Sequence, residues 1–115
     1  MTLVMYGIPN CDTVKKARLW LADHHVAHGF HDFRKDGLDP ALLGSWIDRL
    51  GWEPLLNRAG TTFRKLPEQD RTNLDRARAT ALMLALPATI KRPVLVHDRG
   101  VEVGFAPERY AALFG

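Results

Sequence analysis

Residues 2–23, TLVMYGIPNCDTVKKARLWLAD, change character twice within a few positions, and that change decides the fold. The apolar run at 2–6 reads as a short buried strand, which Gly7 and Pro9 end. Asn10, Asp12 and Thr13 are all helix-capping residue types, and Val14, Ala17, Leu21 and Ala22 then recur at helical spacing as far as Asp23. Cys11, the single cysteine of the chain, falls between the two elements, at the mouth of the helix. Its sulfur there meets unpaired backbone N–H groups at the positive end of the helix dipole. Cysteines so placed have pKa values reduced from about 8.5 to roughly 3.5–7.5. Lys15 and Lys16, one turn on, add positive charge. A lone cysteine is often just a small buried hydrophobe. The turn around Cys11 is polar, however, and the position reads as a reactive thiol.

Working outward, residues 26–33 alternate weakly and read as a second strand, after which 32–40 is polar. Asp39-Pro40 opens a helix, with Asp at the cap and Pro at the first position, and Leu43, Trp46, Ile47 and Leu50 share one face until Gly51. Residues 53–66 have no clear period and read as a loop with short helical turns. Asn73 begins another helix, with Leu74, Ala77, Ala81, Leu82 and Ala85 facing inward until Pro87. Val94–His97 is a strand, Asp98-Arg99-Gly100 a hairpin turn, Val101–Val103 the partner strand, and Pro107–Leu113 a final helix. The order is β-α-β, three helical segments, then β-β-α. The first three elements predict a parallel right-handed crossover and the hairpin an antiparallel pair, layered with helices.

The 115 residues make one ordinary domain, expected to span 1–115 with a helical insertion at about 39–87. Hydrophobic residues at 46% and charged residues at 25% exclude a disordered chain. One cysteine excludes an internal disulfide and fits a reducing cytoplasm. No stretch approaches the roughly 18 apolar residues of a membrane span, and residues 1–6 lack the form of a signal peptide. A net charge of +3, from 16 basic and 13 acidic residues, permits anionic partners without indicating nucleic acid.

Further candidates follow from residue chemistry. Arg58, Arg64 and Lys65 lie in the irregular segment with Thr61 and Thr62, and a guanidinium fork suits an oxyanion or a carboxylate. Arg92-Pro93 enters the third strand, where the residues alone favour a trans bond, since only about 5–6% of X–Pro bonds are cis. The histidines His24, His25, His28, His31 and His97 show no ligand spacing, so no metal is expected. Trp20, Trp46 and Trp52 read as packing residues.

The segment Tyr6-Gly7-Ile8-Pro9-Asn10-Cys11-Asp12-Thr13-Val14-Lys15-Lys16-Ala17-Arg18 resembles the active-site segment of the glutaredoxin-linked arsenate reductase family. Within it, the Cys-Asp-Thr-Val-Lys-Lys-Ala form is most similar to the YffB-type branch. Ile90–Val96 resembles the family's Arg-Pro strand, Leu55–Leu66 its central segment, and Val103-Gly104-Phe105 also fits the branch. These blocks run in order through nearly the whole chain.

The resemblance implies an α/β, thioredoxin-like fold: a mixed four-stranded sheet with a helical insertion between strands 2 and 3. It implies a cis Pro93, with Cys11 as nucleophile in a site that includes Asn10, Thr13, Pro93 and, further out, Lys15 and Arg64. Family members hold an oxyanion with three arginines. Arg92 matches one by position, and the second falls on Arg58 or, with a one-residue slip, on Asn57. The third falls at or beside Phe105, where no arginine stands. Loss of a charge-assisted contact costs on the order of 1.5–3 kcal/mol, so the resemblance points away from efficient arsenate reduction.

Val14 stands where thioredoxins place a second cysteine, so an external thiol must resolve any mixed disulfide. The expectation is a monomeric, cytoplasmic, glutathione-dependent thiol/disulfide reductase acting on a small oxidised or disulfide substrate. Glutathione is its co-substrate, glutaredoxin a partner, and no bound cofactor is required. The rival expectation is an Spx-type transcription regulator that binds RNA polymerase, or a related domain that only binds.

Overall fold

The computed structural model describes residues 3–115. In chain order it contains β1 (Val4–Gly7), α1 (Asp12–Asp23), β2 (Gly29–Asp32), α2 (Phe33–Asp36), α3 (Pro40–Leu50), α4 (Trp52–Leu55), α5 (Thr61–Arg64), α6 (Glu68–Arg71), α7 (Arg76–Ala85), β3 (Val94–His97), β4 (Gly100–Val103) and α8 (Pro107–Phe114). These elements form two compact units. One runs to Gly37 and resumes at Arg92–Gly115, and the other is Leu38–Lys91.

The first unit holds a four-stranded sheet in the order β2-β1-β3-β4. β1 and β2 are parallel across the α1 crossover, while β1–β3 and β3–β4 are antiparallel. Here is the mixed α/β sheet of a thioredoxin-like fold, with the helical segments falling between its second and third strands. Val14, Ala17 and Leu21 point from α1 onto Leu3, Met5 and Leu95 of the sheet side, and Tyr110 of α8 joins the same cluster. Each fully buried large apolar side chain contributes roughly 1.5–3 kcal/mol, and α1 and its neighbouring strand rest on this contact. Gly7 lets the two approach: a Cβ there would meet Val14 Cγ2 at 2.9 Å.

The second strand is shorter than the expected 26–33. The N–H groups of His25 and Val26 donate to the carbonyls of Ala22 and Leu21, and His25 adopts φ of 56°, so this stretch closes α1 instead of pairing. At the other end, the Asp32 carboxylate accepts from the Arg34 N–H and starts α2 at Phe33. Ala22 is exposed, contrary to the inward place its spacing suggested, because it falls in line with Lys15 and Arg18 on the outer side of the helix. The expected first strand began at Thr2, which lies outside the described residues.

In the second unit, α3 forms as its sequence predicts. Asp39 accepts from the Ala41 N–H, Pro40 opens the helix, Leu43, Trp46 and Ile47 are buried, and Gly51 ends it at φ 84°. The irregular stretch after it resolves into single turns, α4 and α5, with α6 an unforeseen exposed third. Backbone bonds from Asn57 to Thr89 and from Lys91 to Leu55 tie this stretch to the unit's end.

α7 corrects two expectations. It begins at Arg76, not Asn73, because Asp75 takes the cap by accepting from the Arg78 N–H while Asn73 sits at φ 54°. Its inward face is Ala79 and Met83, and Ala77, Ala81 and Ala85 are exposed. The segment 81–86 is apolar nearly all round, so its periodicity left the phase of the helix open. No helix among the described residues is long and apolar enough to cross a membrane.

Candidate active site

Cys11 itself is the N-cap of α1, with extended backbone at φ −85° and ψ 128°. This corrects the expectation that Asn10, Asp12 or Thr13 caps the helix. The Cys11 N–H donates to the Ile8 carbonyl (3.1 Å), and its carbonyl accepts from the Lys15 N–H (2.9 Å), so both backbone groups are fixed. The side chain makes no capping hydrogen bond. The Val14 and Thr13 N–H groups and the Arg92 side chain act on the sulfur electrostatically and favour its charged form.

Partial burial pushes the thiol pKa up, but the Val14 N–H, the Arg92 hydrogen bond, the Thr13 N–H and the Arg92 charge together outweigh it. The net effect is a pKa below that of an ordinary cysteine. Cys11 is half-buried and free, so a nucleophile formed there has access to a substrate.

Strand register brings Arg92 to the sulfur. Tyr6 pairs with Val94 in the antiparallel β1–β3 ladder, so the residues preceding β3 run beside those that follow β1. Arg92 therefore meets the turn that carries Cys11. The Arg92-Pro93 bond is cis and Pro93 is buried, as the resemblance implied and against the residue-level preference. The Pro93 carbonyl accepts from the Gly104 N–H at 2.9 Å, which fastens this entry to the end of β4.

The other predicted site residues fall in several places. The Asn10 and Thr13 side chains are exposed in the turn and first turn of α1, and Thr13 faces the sulfur through its backbone. Lys15 is exposed one turn along α1. Arg58 and Arg64 belong to the second unit. There Arg58 is exposed, 3.5 Å from Glu53 and with its guanidinium 5.6 Å from the Trp52 ring centre. Arg64 is exposed at the end of α5, and Asn57 is half-buried. Phe105, at the position lacking an arginine, packs edge-on against Tyr110 with ring centres 4.8 Å apart. Half-buried, it packs against the apolar core.

Val14, where thioredoxins have their second cysteine, is fully buried against the sheet. The histidines serve locally: His24, His28 and His31 donate to the carbonyls of Trp20, Val26 and Gly37, and His97 accepts from the Arg99 N–H. Among the described residues no three His, Cys, Asp or Glu side chains stand close enough together to hold a metal. Trp46 is buried, while half-buried Trp20 stacks on His24.

Sequence reading passed over one feature near Cys11. Arg18 lies over the Phe30 ring at 4.3 Å and, with Leu19 and His28, borders a groove on the outer face of α1. The signal was present as the helical spacing of positions 15, 18, 19 and 22, beside the apolar set Val14, Ala17 and Leu21.

Comparison with known proteins agrees with this architecture. Residues 6–113 match the profile of the ArsC family. A protein described as YFFB is 53% identical, covers 99% of this chain and 100% of its own, and superposes with a TM-score of 0.93. An arsenate reductase-related protein from Brucella melitensis is 55% identical over 99% of this chain and 95% of its own, with a TM-score of 0.80. An uncharacterized protein of Haemophilus influenzae is 44% identical over 97% of this chain and 98% of its own. The global transcriptional regulator Spx 2 of Lactococcus lactis is 23% identical over 96% of this chain and 84% of its own.

Proposed function

The chain belongs to the ArsC family, and from that premise we propose that it is a glutathione-dependent thiol/disulfide reductase with Cys11 as nucleophile. The coarser kind, a thiol-reductase-like or Spx-like protein, follows from its relatives. The observation that carries the finer reading is the Cys11 sulfur facing Val14 N–H, Thr13 N–H and Arg92, with its pKa lowered.

The chemistry is two exchanges. Cys11 thiolate attacks the glutathione sulfur of a mixed disulfide R–S–S–G. A Cys11–glutathione disulfide forms, the S–S bond of the substrate breaks, and R–S⁻ leaves with the electron pair and takes a proton from water. A second glutathione, as thiolate, attacks the glutathione sulfur bound to Cys11. Oxidised glutathione leaves and Cys11 returns as thiolate. The substrate sulfur is reduced and two glutathiones end as one disulfide. With Val14 buried and no other cysteine in the chain, the second thiol comes from outside. In this reading Arg92 holds a glutathione carboxylate, Asn10 and Pro93 frame the turn, and Lys15 adds positive charge. Glutaredoxin serves as an alternative resolver, and the reducing cytoplasm supplies the glutathione.

Incubation with oxidised glutathione followed by mass spectrometry tests this. One glutathione on Cys11, removed by glutaredoxin, is the expected result, and an unmodified chain contradicts it. The Spx relatives favour a second reading, a regulator that binds RNA polymerase. Capture of RNA polymerase from extract, unchanged by Cys11→Ser, would select it.

A further inference from the structure

The outer face of α1 carries a continuous stripe. Cys11, Lys15, Arg18 and Ala22 follow one another at steps of four, three and four residues, with Leu19 alongside, on the side turned away from buried Val14, Ala17 and Leu21. Lys15, Arg18, Leu19 and Ala22, together with His28 before β2, line a groove of about 420 Å³. Leu19 is 61% exposed, more than any other large apolar side chain described. Arg18 is steadied by Phe30, which keeps its charge at the groove. Asp12 and Asp23 stand at the two ends of the helix and do not line the groove.

We propose that this groove docks an acidic segment with interspersed apolar residues, belonging to the protein whose disulfide Cys11 attacks. The inference rests on the reductase reading and names the class of its substrate: a polypeptide. Charge selects the occupant. Lys15 and Arg18 complement carboxylates, and Leu19 and Ala22 give an apolar residue its contact. A second copy of this chain brings the same basic face and a net charge of +3, so it does not complement the groove. A nucleic acid backbone offers exposed Leu19 no apolar partner along the groove. From Cys11 to Ala22 the helix rises about 16 Å, a span that takes about five extended residues and that a tripeptide the size of glutathione does not fill.

The test uses two peptides of about ten residues. Each has one cysteine held as a mixed disulfide with glutathione, followed by leucine alternating with glutamate in one and with lysine in the other. Cys11 thiolate takes the glutathionyl sulfur and the peptide thiolate leaves, so the appearance of glutathione-modified Cys11 gives the rate. The acidic peptide is expected to react about tenfold faster than the basic one at low salt. Arg18→Glu and Leu19→Asp should bring the two rates together while leaving the rate with oxidised glutathione unchanged. Leu19 is exposed, so its substitution leaves the core intact. Equal rates for both peptides, with oxidised glutathione still reacting, would overturn the groove and spare the reductase. If no disulfide reacts, the reductase reading falls, and anisotropy with a cysteine-free acidic peptide decides the groove. Salt-sensitive binding lost in both variants supports it, and no binding overturns it. Tighter binding of single-stranded DNA, or dimerisation through this face, also overturns it.

Discussion

Arg92 enters the sheet unit just ahead of β3, half-buried, with its side chain on the Cys11 sulfur. Arg58 rides on an exposed bend of the helical unit, near a Glu53 that is itself exposed, with the edge of its contacts formed by Trp52. The two side chains are chemically identical, yet their backbones are held differently. Strand pairing of Tyr6 with Val94 and the bond from Gly104 to Pro93 fix the first. Arg58 follows a single turn of helix, and its own N–H donates to the Leu56 carbonyl. A guanidinium preset by the framework tunes a thiol, whereas one held by weak surface contacts is free to follow a ligand.

The largest expected effect comes from Arg92→Ala. Removing a charge-assisted contact of about 1.5–3 kcal/mol should slow glutathionylation of Cys11 at neutral pH by one to two decades. Stopped-flow measurement of the adduct checks this, and a rate within twofold of wild type would erase the distinction between the arginines. Gly7→Ala comes next. Its Cβ would press on Val14, whose branched, buried side chain cannot turn aside, so about 1–3 kcal/mol of stability is lost in urea melts. The same strain displaces the start of α1 and should slow the thiol. Arg58→Ala is smaller, because exposed pairs are worth about 0–1 kcal/mol. Thermal stability should hold, and the apparent affinity for glutathione should fall less than in Arg92→Ala.

Tyr110→Phe is the smallest. Its hydroxyl is buried with no hydrogen-bond partner among the described residues, so the melting temperature should stay or rise. Burial first, and then the Glu102 charge, raise the Tyr110 pKa above the ordinary value of 10.0. Below pH 10 the phenol is neutral in both states and its contribution is intact. As pH rises past 10 the unfolded chain ionises while the folded one does not, and stability falls. The phenylalanine variant should lack that alkaline loss.

Much of the sheet unit was legible in the sequence because its signals are local and unambiguous. Gly7 and Pro9 mark the strand end, the Asp98-Arg99-Gly100 turn marks the hairpin, and helical spacing marks Val14, Ala17 and Leu21. The place of Cys11 at a helix mouth was legible too, but its role as the cap was not, since three better capping residues flank it. In the helical unit α3 announced itself through Asp39-Pro40 and Gly51. The phase of α7 did not, because alanine and leucine surround Met83 on every side. The meeting of Arg92 with Cys11 is set by register between strands far apart in the chain, and residue spacing carries no trace of register. The resemblance supplied what spacing lacked for Pro93.

The central claim is that Cys11 is a thiolate nucleophile made so by its backbone and by Arg92. The pH dependence of its alkylation by iodoacetamide tests this most directly. The account predicts a rate that reaches half its plateau below the pH at which an ordinary cysteine does so. A midpoint at or above that of a free cysteine would contradict it.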